Sequence, residues 1–284
     1  MILVTGAAGK TGNAIVKALG VKGARVRALI RRPEQTAALK ALGAVEVCVG
    51  DFEDARALAR ATAGVRAIYH ICPNVSRSEI VYAQAVAAAA QANNVKRFIY
   101  HSVLHPQIKA MPHHWEKLRT EAMLLATDFD LTVLQPTAYM QNLLGAWRGV
   151  VNDGVFRIPY PVETRLSLVN LDDVAEVAAR VLMEDGHAGA TYELAGTMPL
   201  SQTQVANTLG TVLGRDVRAE EEPLESWEAR MRTAGMGGHE RAALIAMFRY
   251  YAGHGLVGNP NTLRWLLGRA PGDLPHFIAS VRSG

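Results

Sequence analysis

The chain opens with MILVTGAAGKTG, residues 1–12, in which an apolar run leads directly into Gly6, Gly9 and Gly12. The apolar run predicts a buried strand, and the segment after the glycines predicts a helix. In a strand–turn–helix unit of this kind, Gly6 permits the tight turn out of the strand. Gly9 lets a diphosphate approach the backbone, and Gly12 lets the helix pack close to the sheet.

The turn formed by these glycines is suited to bind phosphate groups. The glycines open a helix that is predicted over NAIVKALGVKG, residues 13–23, and the N-terminus of a helix presents unpaired amides and a partial positive charge. We therefore expect the glycines, Lys10 and Thr11 to bind a dinucleotide. The alternative is a glycine-rich turn that holds no ligand.

The end of the second predicted strand indicates which dinucleotide the turn would accept. An NAD site usually has an acidic residue here for the ribose 2′-hydroxyl, whereas this chain has Ile30 followed by Arg31 and Arg32. Guanidinium groups bind phosphates bidentately, so we expect NADP(H), with Asp51 at the adenine end. Alternatively, both arginines are solvated and the site accepts either cofactor.

Strand-like and helical segments alternate along the first half of the chain, and this predicts an α/β fold with a doubly wound parallel (Rossmann) sheet. We expect the dinucleotide-binding domain to span residues 1–150, with sheet and helix contributions from about 165–196. Residues 197–284 are expected to form a smaller, mostly helical C-terminal lobe that shapes the substrate pocket.

Composition argues against several classes of protein. The net charge of +4 and the pI of about 9.1 are compatible with nucleic-acid binding, but the basic residues are scattered and no groove-reading motif is present. The densest basic group is Arg25, Arg27, Arg31 and Arg32, for which a small anionic ligand is a sufficient reason. No apolar run reaches the ~20 residues of a membrane span, and we expect a cytoplasmic protein.

Four histidines within a short segment raise the question of a metal site. They are His101, His105, His113 and His114. No cysteine joins them, and the first two straddle a strand end and a loop, which is not the spacing of a helical metal-binding pair. We therefore expect no metal.

Several segments together resemble one family. They are VTGAAGKTG (4–12), VKRFIYHSV (95–103) and HHWEKLRTEAMLLATDFDLTVLQPTAYMQN (113–142), with looser similarity in 169–182 and 261–279. With Arg31, they are similar to the NmrA-like group of atypical short-chain dehydrogenases/reductases. That group contains NADPH-dependent reductases of quinones and other carbonyls. It also contains proteins that bind the dinucleotide without turnover, sense redox state and regulate a partner.

The resemblance also implies catalytic residues. Most short-chain dehydrogenases carry Tyr-x-x-x-Lys on one helix, where the lysine binds the nicotinamide ribose and the tyrosine passes a proton. Here Lys117 is present, but the tyrosine position holds His113. His113 or solvent would then supply the proton, Ser102 would help to hold the acceptor oxygen, and Tyr139 could contact nicotinamide or substrate.

We therefore expect an NADPH-dependent oxidoreductase that transfers hydride to a small carbonyl, quinone or related unsaturated compound. The alternative is a non-catalytic NADP(H)-binding redox sensor that binds a partner protein, which the missing tyrosine favours. The expected partner is a small-molecule substrate rather than nucleic acid or membrane. A homo-oligomer or a regulatory protein partner is left open.

Overall fold

The computed structural model describes residues 1–283. The chain forms two compact units. The first comprises Met1–Gln107, His113–Gln135 and Val174–Tyr192, and the second comprises Ile108–Pro112, Pro136–Asp173 and the chain from Glu193 onward. The chain passes between the units several times, so neither is one continuous segment. The predicted assignment of cofactor to 1–150 and substrate to 197–284 stays a prediction.

The strands and helices are numbered in chain order. The strands are β1 (Ile2–Val4), β2 (Val26–Ile30), β3 (Ala44–Val49), β4 (Ala67–His70), β5 (Arg97–His101), β6 (Asp130–Pro136), β7 (Ala138–Tyr139), β8 (Val155–Ile158), β9 (Arg165–Leu166), β10 (Leu168–Val169), β11 (Ala190–Leu194), β12 (Leu200–Ser201) and β13 (Arg218–Glu221). The α-helices are α1 (Lys10–Val21), α2 (Thr36–Ala41), α3 (Ala55–Thr62), α4 (Glu79–Ala92), α5 (Pro112–Leu125), α6 (Trp147–Asp153), α7 (Leu171–Met183), α8 (Gln202–Leu213), α9 (Leu224–Thr233), α10 (Gly238–His254), α11 (Asn261–Leu267) and α12 (Leu274–Ser283). Short 3₁₀ helices cover Pro33–Gln35 and Met140–Ala146.

Seven strands form the central sheet in the order β11-β6-β5-β4-β1-β2-β3. Strands β1 to β6 pair in parallel, with Ile2 opposite both Val26 and Ala67. The strand order reverses direction between β1 and β4, which is where open α/β sheets bind ligands, beyond the carboxyl ends of the strands. The predicted doubly wound sheet is confirmed.

The central strands are buried because helices cover both faces of the sheet. Leu3, Val4, Ile68 and Ile99 are fully inaccessible to solvent, as expected for near-continuous apolar strands in a parallel sheet. The core fixes the carboxyl ends of β1, β4 and β5 side by side, and these ends support the candidate site.

The second unit is mostly helical but also contains three short strand pairs: β7 with β10, β9 with β12, and β8 with β13. Its helix α8 begins with a capping box in which the Ser201 hydroxyl accepts from the Gln204 amide and the Gln204 side chain accepts from the Ser201 amide. The ring centroids of Trp227 and Phe248 lie 4.9 Å apart, and those of Tyr160 and Tyr251 lie 5.8 Å apart. This aromatic cluster packs inside the unit.

Candidate active site

The glycine turn after β1 contains two glycines that the fold itself requires. Gly6 has a φ of +58°, and a Cβ there would lie 2.7 Å from the Ile71 carbonyl oxygen. A Cβ on Gly12 would lie only 2.3 Å from the Gly6 carbonyl oxygen. Real Cβ atoms do not approach backbone so closely, so both positions need glycine.

Gly9 differs from its two neighbours in the motif. A Cβ there would meet its nearest protein atom, the Gly6 carbonyl oxygen, at an ordinary 3.4 Å. Gly9 is the N-cap of α1, its backbone is extended, and it supplies no side-chain cap. The uncapped amides of the first helical turn can therefore bind an external anion at Gly9. These residues fit the diphosphate of a dinucleotide.

The end of β2 and the loop after β3 lie next to this turn. Arg31 is exposed, and no ion pair ties it to another of the residues 1–283. The Arg32 guanidinium lies 3.7 Å from the Glu34 carboxylate. The Gly50 amide donates to the Ile30 carbonyl at 2.9 Å, which places Asp51 beside the end of β2. Arg31 and Asp51 therefore lie at the ends of neighbouring strands, and their expected roles, at the 2′-phosphate and at the adenine end respectively, stay predictions.

Arg27 has a structural role rather than a role in binding the expected anion. Its side chain donates to the Glu46 carboxylate at 2.7 Å and to the carbonyl oxygens of Arg60, Ala61 and Ala63 at 2.6–3.2 Å. These carbonyls lie at the C-terminus of α3, where a cation is favoured. Binding of the expected anionic ligand therefore does not account for every arginine of the basic group.

Lys117, on α5, is held by a buried cluster that sequence reasoning missed. Its Nζ donates to Glu79 Oε1 at 2.9 Å and to the His101 carbonyl at 3.1 Å, and it lies 5.3 Å from the centroid of the Tyr100 ring. The Tyr100 hydroxyl donates to the same Glu79 oxygen at 2.7 Å. Glu79 begins α4, so the cluster joins α4, β5 and α5.

The contacts within this cluster determine which of its groups are charged. Burial alone would raise the pKa of Glu79, but the Lys117 ammonium and the hydrogen bond from Tyr100 outweigh it and hold the pKa below its ordinary value. Burial and the Glu79 charge raise the pKa of Tyr100 well above its ordinary value. Lys117 and Glu79 therefore form an ion pair, and Tyr100 keeps its proton.

His113 lies one helical turn before Lys117, on the same side of α5. Its Nδ1 is buried and has no hydrogen-bond partner within residues 1–283. Burial, followed by the Lys117 charge, lowers the pKa of His113 to about 4, so the ring is neutral at neutral pH. The ring of His114 packs edge-on at 4.6 Å, and its Nδ1 lies 3.3 Å from the His105 carbonyl oxygen.

The two remaining predicted catalytic residues lie in different units. Ser102 is buried, and its hydroxyl donates to the Glu121 carboxylate, which also accepts from the Gln135 amide at 3.0 Å. Tyr139 lies on β7 in the second unit and is partly buried. Their roles at the substrate stay predictions.

A second buried pair, also missed by sequence reasoning, joins the ends of β1 and β4. Thr5 Oγ1 lies 2.9 Å from His70 Nδ1 and accepts from the Ile71 amide at 3.0 Å. Burial lowers the pKa of His70 to about 4. The only signal in the sequence was the position of Thr5 directly before Gly6.

Two features are absent from residues 1–283. No group of three or more histidine, cysteine, aspartate or glutamate side chains is arranged to hold a metal ion. None of the helices is both long enough and apolar enough to cross a membrane.

Comparison with known proteins identifies the family. A model described as the NmrA-like family matches residues 1–275. The chain belongs to the NmrA-like family. The resemblance inferred from the motifs is thereby confirmed.

Two curated relatives of this NmrA-like chain are named as an oxidoreductase and an azoreductase. It is 30% identical over 238 residues to quinone oxidoreductase 2 of Escherichia coli, covering 83% of this chain and 82% of that protein. It is 29% identical over 273 residues to NAD(P)H azoreductase of Xenophilus azovorans, covering 95% and 92%.

A solved structure shares the whole fold of this NmrA-like chain. The crystal structure of the E. coli NADPH-dependent quinone oxidoreductase complexed with NADPH matches with a TM-score of 0.87 and 28% identity. The match covers 99% of this chain and 100% of that chain.

Proposed function

We propose that this protein is an NADPH-dependent oxidoreductase that transfers hydride to a quinone or a related small carbonyl or unsaturated acceptor. The observation that carries the proposal is the presence, in one unit, of an uncapped helix at Gly9 and an ion-paired Lys117. The first lies after β1 and the second beside the end of β5, on the sheet edge where ligands bind. The relatives named as quinone oxidoreductase and azoreductase support the same activity.

The residues that would hold NADP(H) follow the order of its parts. The glycine turn and the first turn of α1 suit the diphosphate, the two arginines after β2 suit the 2′-phosphate, and Lys117 suits the nicotinamide ribose. The proposed ligands are Gly6, Gly9, Lys10, Thr11, Gly12, Arg31, Arg32, Asp51 and Lys117.

When bound, NADPH supplies the hydride, and reduction of a quinone to its hydroquinone takes that hydride and one proton. We assign His113 the role of a neutral hydrogen-bond donor to the acceptor oxygen. With a pKa of about 4, only about one His113 in a thousand is protonated at neutral pH. Solvent therefore supplies the proton. Ser102 and Tyr139 are proposed as further contacts to the acceptor.

The test of activity follows NADPH absorbance with the wild-type protein and a panel of quinones, aldehydes and imines. We expect oxidation of NADPH with at least one quinone. Tight binding of NADPH without turnover across the panel would instead support the redox sensor. Substitution His113→Phe should lower kcat/KM by about tenfold without moving NADPH affinity, because one hydrogen bond to the acceptor is lost.

Cofactor choice provides a separate prediction. Substitution Arg31→Ala should raise the KM for NADPH by about 10- to 100-fold and leave the KM for NADH unchanged, because only NADPH carries the 2′-phosphate. The matched control is Arg66→Ala, since Arg66 is an exposed arginine that we place outside the site. An equal rise in KM for both cofactors would show that Arg31 does not bind the 2′-phosphate.

A further inference from the structure

We infer that Glu79 is a positioning residue that orients Lys117 and neutralises its charge beside the nicotinamide end of NADP(H). The inference rests on the proposed role of Lys117 as a ligand of the nicotinamide ribose. It adds a function for a buried carboxylate that no motif in the sequence identifies.

The contacts of Lys117 fix the direction of its ammonium group. An ammonium has three hydrogen-bond donors, and two of them are directed to Glu79 Oε1 and the His101 carbonyl. The Lys117 side chain is 14% exposed and that of Glu79 is 3% exposed, so neither can swing into solvent. The third donor is therefore the one that Lys117 can offer to a ribose hydroxyl.

Glu79 also supplies the counter-charge of the buried Lys117 ammonium. A buried charge is costly unless it is paired and hydrogen-bonded, and the carboxylate supplies that pairing. The Tyr100 hydroxyl donates to the same Glu79 oxygen and so holds the carboxylate in place. The pair of Lys117 and Glu79 therefore presents an oriented hydrogen-bond donor with no net charge.

The absence of net charge matters because the two redox states of the cofactor differ in charge. The oxidised nicotinamide ring carries one more positive charge than the reduced ring. A lone ammonium beside the ring would repel the oxidised form and favour retention of the reduced form. A carboxylate 2.9 Å from that ammonium cancels most of this preference. Glu79 thus tunes the relative affinities for NADP⁺ and NADPH.

The test compares dissociation constants of the full-length protein for NADP⁺ and NADPH, measured by calorimetric titration. Glu79→Gln removes the counter-charge of the Lys117 ammonium and should raise the ratio of Kd for NADP⁺ to Kd for NADPH by about tenfold. Glu79→Asp keeps the charge and should leave the ratio close to wild type. Tyr100→Phe removes the second hydrogen bond but no charge, and should also leave it unchanged.

A second variant, for which the Kd ratio should change in the opposite direction, keeps the test valid if Glu79→Gln does not fold. Lys117→Met leaves the carboxylate without its cation, so at about pH 8 the ratio should fall below that of wild type. The double variant Glu79→Gln with Lys117→Met is neutral and should return the ratio to the wild-type value. A ratio unmoved in folded single variants that still bind NADPH would overturn the role of Glu79. A wild-type protein that binds no NADPH would instead overturn the proposed function.

Discussion

At the scale of single residues, Gly9 is a position where the fold would accept a side chain and the protein has none. Its backbone angles, φ −77° and ψ 167°, are open to any residue. A Cβ there has room, unlike one on Gly6 or Gly12. Protein packing therefore explains two of the three glycines, and ligand binding is our reason for the third.

This difference gives a prediction that separates binding from folding. Aspartate and asparagine are good N-cap residues, so Gly9→Asp and Gly9→Asn should unfold in urea at the same midpoint as wild type or slightly higher. NADPH affinity should fall by at least about tenfold for Gly9→Asn and further for Gly9→Asp, which also repels the diphosphate. By contrast, Gly12→Ala should fail to fold stably. If Gly9→Asp bound NADPH as tightly as wild type does, the diphosphate would not bind at this turn.

Local spacing accounts for the site residues that could be predicted from sequence. Gly9 and Lys117 belong to short motifs, so a single segment is enough to predict each of them as a site residue. Glu79 belongs to no motif, because its role arises only when α4 and α5 meet at the end of β5. The Thr5–His70 pair likewise depends on β1 lying beside β4. Such contacts form only when the strands are arranged in the sheet, and no local segment of the sequence specifies that arrangement.

At the scale of elements, α8 begins after Ser201, whose side chain forms a capping box with Gln204. Substitution Ser201→Ala leaves an unpaired amide at the helix N-terminus and should lower the free energy of unfolding by about 1 kcal/mol. Urea denaturation monitored by circular dichroism measures the change. Ser201→Asp retains an acceptor at the cap and should stay near wild type. Equal losses for both variants would assign the effect to something other than the cap.

The strands that sequence reasoning missed show where pattern analysis fails. The sequence of β13 is Arg-Ala-Glu-Glu over Arg218–Glu221, a composition poor in strand-forming residues. It forms a strand because it pairs in parallel with β8, more than fifty residues earlier in the chain. The inner strands β1, β4 and β5 were predictable because each is a mostly apolar, buried run, so local composition and final environment agree.

At the scale of the whole molecule, buried histidines link stability to pH. Burial lowers the pKa to about 4 for His70 and His113 and to about 3 for His101 and His114. In the unfolded chain these rings titrate near pH ~6.5. Between these values the unfolded state binds more protons than the folded state, so stability falls as the pH falls through this window.

The expected consequence is a steep acid dependence of thermal stability. Each of the four rings contributes a slope of up to about 1.4 kcal/mol per pH unit, so Tm should drop on the order of 10 °C between pH 7 and pH 5. Differential scanning calorimetry at a series of pH values measures this. His114→Gln should reduce the slope by about one proton, because the pKa of His114 is lowered by burial. A flat Tm across this range would contradict the burial of these rings as neutral groups.

The repeated passage of the chain between the two units constrains how parts of this protein can be exchanged with a relative. A chimera joined at residue 193 would receive a new C-terminal portion, yet it would keep Ile108–Pro112 and Pro136–Asp173 from the parent. Its second unit would then contain residues of two parent proteins in one core. Side chains that differ in size between the parents would be packed closely against each other. Exchanging the second unit with that of a relative thus requires grafting all three of its stretches together, because a single crossover replaces only one of them.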